Sequence, residues 1–480
     1  METYISWKWI ALCAFLLMLV LSVASSSYHY AKPLPENVSY ESKVYFVDEG
    51  DIKFLFDFTY HESNVTSYEH EIFDEVFAMI EDAEDFILLD MFLFNNDYSH
   101  LSFKQNLTTD LTSALIEKTI THPDIDIVFI TDNLNTFYGS YYPSHFEALE
   151  NAGVDVVFTD MHELRDSNPL YSGFWRMFIQ PFGNSESGWI KHPLGNVDEK
   201  VTIRGLLNVL NAKANHRKLI VTQSNKSSSS LITSANPHTA SSDHSNIAIK
   251  VNNSISQDIL HGEQAVIDFS NKNINLDIKQ TQESNGDIQI RYVTEKKIKN
   301  TMLKDIKETK EGDDIYVYMF YLSDRQIITA LKEANARGVN LYFVLDPNKD
   351  AFGREKNGIP NRQVAYEFAK DTNATILWYN TQGEQFHTKA IFIIKDDKTI
   401  VHLGSSNLTK RNLHDYNLEA NVKVILPNNS THTTQIKNYV NRILENEYAT
   451  YTLPYESFKD ESFFKYWFYR LQEFTGLSTF

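Results

Sequence analysis

Two rhythms of apolar residues take turns along this chain from residue 44 onward. Near-continuous apolar runs, such as Phe86-Ile87-Leu88-Leu89 followed by Met91-Phe92-Leu93-Phe94, read as strands of a sheet covered on both faces. Between them lie stretches whose apolar residues recur every three or four positions, first at Ile72, Val76, Phe77 and Ile80, which read as helices with one buried face. The first half runs strand 44–57, helix 71–84, strand 86–94, helix 109–119, strand 125–131, helix 144–151 and strand 154–159. The second half repeats the order. A strand opened by Gly286-Asp287-Ile288 leads to helix 294–309, strand 315–320, helix 325–336, strand 339–345, helix 362–370 and strand 374–379. Gly338 supplies the left-handed stop after the fourth of these. Strands alternating with helices predict an α/β sheet in each half. The expected architecture is a duplicated α/β/α fold, with one half over 43–278 and the other over 280–480.

Three stretches fall outside this repeat. Residues 10–24 carry no charge and follow Trp7-Lys8-Trp9. Counted from 7 to 27, with Lys8 reaching to the interface, the run is long enough to cross a bilayer, and 1–30 is expected to be a membrane anchor. The lysine ahead of the run places the catalytic part outside the cytoplasm. Cleavage after Ser22-Val23-Ala24 would instead give a secreted protein. Residues 28–42, with Pro33 and Pro35, read as a linker. An insert at 160–200 holds Phe174, Trp175, Phe178, Phe182 and Trp189, and the carboxyl end at 458–474 is equally aromatic. Each can either dock on the core or dip into lipid headgroups. The serines at 227–230 read as a hairpin loop.

The bulk numbers narrow the function. A net charge of -19 repels polyphosphate backbones and argues against nucleic acid as partner. The single cysteine, Cys13, lies in the apolar run, so the globular part has no disulfide and no cysteine-based metal site.

The chemistry enters with a repeated motif. His216-Arg217-Lys218 precedes Thr233-Ser234-Ala235-Asn236, and His387-Thr388-Lys389 precedes Gly404-Ser405-Ser406-Asn407, with 20 residues from His to Asn in both. One His-x-Lys is an ordinary coincidence among 16 histidines. Two with the same downstream Ser-x-Asn are not. Side chains two apart on a strand share a face, so each His and Lys point the same way. A hairpin turning at 395–398 brings Ser405 and Asn407 back beside His387. Each copy thus gathers an imidazole, a cation and an amide, a set suited to a phosphodiester. Two halves about a pseudo-two-fold axis would set two imidazoles across one phosphate. One attacks phosphorus to give a phosphohistidine, and the other protonates the leaving alcohol. Lysines and asparagines take the part often played by metal ions, and no cofactor is expected.

Paired His-x-Lys and Ser-x-Asn segments, in a duplicated layout covering almost everything after residue 42, resemble the phospholipase D superfamily. The likeness is to its bacterial phospholipase D-like and cardiolipin-synthase-like members. The resemblance implies one shared active site without metal, and hydrolysis or transfer at a phosphodiester through phosphohistidine. It implies catalytic roles for His216, Lys218, Asn236, His387, Lys389 and Asn407, with Ser234 and Ser405 near substrate. The family's aspartate five positions after each lysine is replaced here by Gln223 and Ile394, with Asp396 the nearest carboxylate in the second half. Gly404 is matched by Thr233 in the first half. The family also carries an acidic residue after the asparagine that orients the opposite histidine. Glu419 stands at that place in the second half, and counting the same interval in the first gives Ala248. This assigns His216 as nucleophile, oriented by Glu419, and His387 as general acid/base.

The expected function is therefore a phosphodiesterase or phosphatidyltransferase acting on phospholipids at a membrane surface, monomeric because one chain holds both half-sites. A nuclease of the same superfamily and a catalytically silent lipid-binding paralogue are the alternatives.

Overall fold

The computed structural model describes residues 7–62, 65–98, 102–185, 187–193, 198–225, 227–279, 284–352 and 354–478. Two mixed sheets form the body. In the first, the strands run in the order Ile52–Phe56, Ile247–Asn252, Ser227–Thr233, Lys218–Ser224, Phe86–Met91, Asp126–Thr131, Asp155–Phe158. In the second, Ile288–Thr294, Ala420–Pro427, Lys398–Gly404, Lys389–Ile394, Asp314–Met319, Asn340–Leu345 and Thr375–Tyr379 repeat that order strand for strand. The last three of each set are parallel and the others antiparallel. The apolar runs fill the sheet centres: Ile87, Leu88 and Leu89 are fully buried, as are Ile315, Val317 and Tyr318.

Helices cover both sheets. Ile72–Asp82, Leu107–Thr121 and Ser144–Asn151 pack their apolar faces outside the first. Glu295–Lys307, Arg325–Ala336 and Asn361–Asp371 do so outside the second. Helix Arg325–Ala336 passes through Arg337 to Gly338 at φ +90°, the stop that the sequence predicts. Two further helices, Ser256–Phe269 and Thr431–Leu444, enter one apolar core shared by both sheets. There Tyr439 stacks on Phe56 of the other half at 4.1 Å between ring centres.

Three local expectations change. The stretch 44–57 is not one strand. Tyr45–Val47 pairs with Ile288–Thr294 at the edge of the second sheet, and only Ile52–Phe56 joins the first. The boundary at 43 therefore places three residues with the wrong sheet, because a local apolar pattern says nothing about which sheet a strand joins. The serine run is not a loop but the start of the strand Ser227–Thr233, its small hydroxyls pairing with Asn252 and Ser256. Asp396 sits exposed at the hairpin tip, remote from the place of the missing motif aspartate. Gln223 instead binds both backbone groups of Lys279 in the linker between halves.

The N-terminal run forms one helix, Trp7–Ala31, and the insert supplies a second, Pro169–Phe178. The aromatic carboxyl end is a third, Phe463–Thr475, capped by Ser462 and ended by Gly476 at φ +77°.

Candidate active site

The site is made where the two halves exchange backbone hydrogen bonds. His216 N–H donates to Leu418 O at 2.9 Å, and Leu418 N–H returns to Ala214 O at 3.0 Å. The same exchange recurs on the other side: His387 N–H to Ser245 O at 2.9 Å, and Ser245 N–H to Gln385 O at 3.1 Å. Each histidine-bearing segment is thereby stitched to the loop that follows the opposite half's hairpin. This fixes which residue meets which imidazole.

At His216 that residue is Glu419. Nδ1 lies 2.9 and 3.0 Å from the two carboxylate oxygens, so Nδ1–H donates to the carboxylate and Nε2 keeps its lone pair. Glu419 is itself held by Ser405 Oγ–H, Asn412 Nδ2 and, through its backbone N–H, by Glu295 Oε1 at 3.0 Å. Burial opposes its ionisation, yet His216, Lys218 and Ser405 hold its carboxyl below the usual range. At His387 the facing group is an amide: Nδ1 lies 3.2 Å from Asn246 Oδ1. Ser234 Oγ–H donates to the same oxygen at 3.0 Å, and Asn246 Nδ2 donates to His244 O.

The counterpart of Glu419 is thus Asn246 and not Ala248. Ser234 N–H bonds Ile247 O just as Ser405 N–H bonds Ala420 O, which aligns Asn246 with Glu419. Ala248 pairs with Thr233 inside the sheet. The loop after Asn236 is two residues shorter than the loop after Asn407, so an equal count overshoots. A second correction concerns the serines expected near substrate. Ser234 and Ser405 are fully buried. Each hydroxyl donates to the residue that faces the opposite histidine and accepts from the backbone N–H of Ile247 or Ala420. They stand behind the site and steady it.

The lysines repeat one geometry. Lys218 Nζ donates to His216 O at 2.8 Å and lies over Phe92; Lys389 Nζ donates to His387 O at 2.9 Å and lies over Phe320. Phe92 and Phe320 also flank the imidazoles, at 4.9 and 5.0 Å between ring centres. His216, His387, Asn236 and Asn407 line one cleft of about 370 Å³ with Phe92, Phe320, Tyr321 and Phe352. Burial pulls His216 down to about 4, and burial followed by Lys389 and His244 holds His387 well below the usual imidazole value. Burial also lowers Lys218 to about 7, and burial together with Lys218 lowers Lys389. The cleft is therefore lined by neutral imidazoles, with the weakened ammonium groups of Lys218 and Lys389 buried behind it, a charge arrangement that an anion would reverse. Gly404 matters here because its φ is +151° and a Cβ would stand 2.4 Å from Ala420 O.

Beneath His216 lies a charge cluster that the motif does not announce. Arg217 is fully buried and bonds Glu263 at 2.8 Å and Glu295 at 2.9 Å. Through Glu295 it reaches the backbone of Glu419. Asn215 bonds both oxygens of buried Asp90, whose carboxyl is pushed up by burial and by Glu263. Asp132 and Asp346 hold equivalent positions, accepting from the N–H of Asn215 and of Phe386. The repeated Thr131-Asp132 and Leu345-Asp346 strand ends were the only sequence sign of that pair. Among the described residues no group of His, Cys, Asp and Glu has the arrangement of a metal site.

Residues 302–444 match the family model described as cardiolipin synthase, PLD-like domain. The fold is similar to phosphatidylserine synthase from Haemophilus influenzae Rd KW20, with a TM-score of 0.58 at 8% identity, over 94% of this chain and 99% of that one. A smaller likeness is to Nuc, a phospholipase D family member from Salmonella typhimurium, with a TM-score of 0.26 at 21% identity, over 32% of this chain and 93% of that one. No curated protein matches the chain in sequence. Residues 302–444 thus carry a PLD-like domain by sequence, and the whole chain has a duplicated PLD-like α/β fold. Within that class, the part recognised by sequence is the second half, matched by the cardiolipin synthase-type domain.

Proposed function

We propose that the protein is a phosphodiesterase of the phospholipase D type that cleaves or transfers phosphatidyl groups through a phosphohistidine. The observation that carries this reading is the unequal pair of histidines in one cleft, His216 on a carboxylate and His387 on an amide. Glu419 holds the His216 tautomer whose Nε2 lone pair is free, and stabilises the positive charge that grows on the ring as Nε2 attacks phosphorus. The P–O bond to the leaving alcohol breaks, and that oxygen takes a proton from His387. For this His387 must first be protonated, and the phosphate's negative charge favours that. Water or a second alcohol then gives its proton to His387 and attacks the phosphohistidine, releasing His216. Lys218, Lys389, Asn236 and Asn407 neutralise and hold the non-bridging oxygens.

The apolar cleft wall and the likeness in fold to a phosphatidylserine synthase support a phospholipid as substrate, and the acidic surface supports no role for nucleic acid. The N-terminal helix supports anchoring in a membrane, and Lys8 ahead of its apolar run is the feature that favours a catalytic part outside the cytoplasm. Both half-sites lie in one chain, which supports a functional monomer. The test is to incubate the purified protein with phosphatidylglycerol, with and without a short-chain alcohol. An alkaline quench then preserves any phosphohistidine for mapping by mass spectrometry. Phosphate on His216, and loss of turnover in His216→Ala, are expected. Phosphate on His387 would falsify the assignment of roles, and undiminished turnover in His216→Ala would sink the catalytic account.

A further inference from the structure

Three apolar surfaces remain uncovered among the described residues, and they adjoin one another. The N-terminal helix is exposed from 7 to 21 and meets the body only from Ser22 onward. There it lies against the insert helix Pro169–Phe178 so closely that a Cβ on Gly173 would stand 2.1 Å from Ser22 O. Ser26 Oγ–H donates to Pro169 O, and Asp166 N–H to His29 O, in the same contact. The insert helix turns Leu170, Phe174 and Met177 outward, with Phe182 and Trp189 beyond it. The carboxyl-terminal helix buries Tyr469 and Glu473 but exposes Phe463, Phe464, Trp467, Phe468, Leu471 and Phe474.

These surfaces are joined by direct contacts. Gly476, at the end of the carboxyl-terminal helix, is pressed against the carbonyl of Ser167. Lys410 lies over Tyr30 of the N-terminal helix and over Phe474, at 5.7 and 6.0 Å. Arg411, which lines the catalytic cleft, donates to the carbonyls of Gly476 and Ser478.

Length supplies an independent argument. Trp7 and Lys8 belong at the far membrane interface, and at 1.5 Å per residue the free stretch 7–21 rises about 22 Å, whereas the hydrocarbon core of a bilayer is about 30 Å thick. The shortfall is about 8 Å, and an interfacial helix sinks its apolar face by about 5–10 Å. We propose that the exposed faces of the insert and carboxyl-terminal helices are embedded in the lipid interface, lowering the body until the N-terminal helix spans the membrane. The catalytic cleft then opens at the headgroup layer, where a phospholipid enters without leaving the bilayer. The occupant is a bilayer because a second copy of the chain would cover the apolar faces but leave the N-terminal helix short. Lys410, Lys465 and Arg470 border the face as an interfacial helix requires. The proposal rests on the N-terminal helix being a retained anchor, and it does not depend on the catalytic roles.

The test uses the full chain in vesicles of phosphatidylcholine and phosphatidylglycerol. In a Cys13→Ser background, single cysteines at Phe464, Phe474 and Phe182 carry a nitroxide, with one at exposed Ile120 as control. Collision with oxygen is expected to exceed collision with a water-soluble nickel complex at the first three sites, and the reverse at 120. Aqueous signals at 464 and 182, or dipolar coupling between copies at 464, would overturn it. Phe464→Glu with Trp467→Glu is expected to lower turnover of vesicle lipid about tenfold, leaving turnover of a monomeric short-chain phosphodiester unchanged. Failure of the catalytic reading removes both turnovers and leaves the label depths as they were.

Discussion

His216 and Glu419, 203 residues apart in sequence, are joined by a hydrogen bond of 3.0 Å across the interface between the halves. The bond sets the tautomer of one histidine from the opposite half, so on the proposed mechanism neither half holds a working nucleophile alone. Glu419→Gln keeps the shape but removes the charge that stabilises the imidazolium. Turnover is expected to fall by about 100- to 1,000-fold, within the range for a positioned proton-transfer group. Steady-state rates beside an unchanged circular dichroism spectrum check this, and a loss under threefold counts against it.

Asn246 facing His387 makes the asymmetry reversible in principle. In the double variant Glu419→Gln with Asn246→Asp, the carboxylate stands on the other imidazole. The phosphohistidine is expected to move from His216 to His387, read by peptide mapping after quenching. The aspartate keeps the acceptor that Ser234 uses but loses the amide donor to His244 O, a loss of about 1–2 kcal/mol in stability. Phosphate that stays on His216 in the double variant shows that something besides the facing carboxylate selects the nucleophile.

How much of this was legible beforehand depends on the range of the physics involved. The order of the main strands and helices follows from local periodicity, but the hairpin strands begin at Lys218 and Lys389 and leave each His in the segment ahead. The partner of His387 does not follow from periodicity, because the first loop is two residues short and only the backbone bond of Ser234 to Ile247 reveals the register. The role of Arg217 is hidden for a similar reason. On a one-faced strand the residue between His and Lys points to water, but here helix Ser256–Phe269 covers that side and supplies Glu263. The crossing of Tyr45–Val47 into the other sheet is likewise a tertiary choice.

Proton uptake should accompany anion binding. Burial lowers Lys218 to about 7, so its ammonium is expected to be lost as pH rises through that value. Affinity for dibutyl phosphate, a monoanion throughout, is therefore expected to weaken between pH 6 and 8.5, approaching tenfold per unit at the upper end. Burial lowers His216 to about 4 before an anion enters, so protonation of His216 is not expected to contribute to binding across this span. Calorimetry in two buffers of different ionisation enthalpy reads the proton uptake directly. An affinity independent of pH over this span contradicts the charge arrangement proposed for the cleft.

Arg217 tests the support beneath the site. Its guanidinium is enclosed with Glu263 and Glu295, and burial, which disfavours the charge, is outweighed by these carboxylates. Arg217→Met leaves two buried carboxylates without their cation, and breaking such a pair costs about 3–5 kcal/mol. Glu295 also accepts from the backbone of Glu419, so the loss should reach the catalytic pair as well as the core. A lowered Tm is expected together with a fall in turnover, and Glu263→Gln with Glu295→Gln added to Arg217→Met should recover most of the Tm. Turnover should recover less, because a glutamine at 295 accepts more weakly from the N–H that positions Glu419. If the triple variant is no more stable than Arg217→Met, the stranded charges are not the source of the instability.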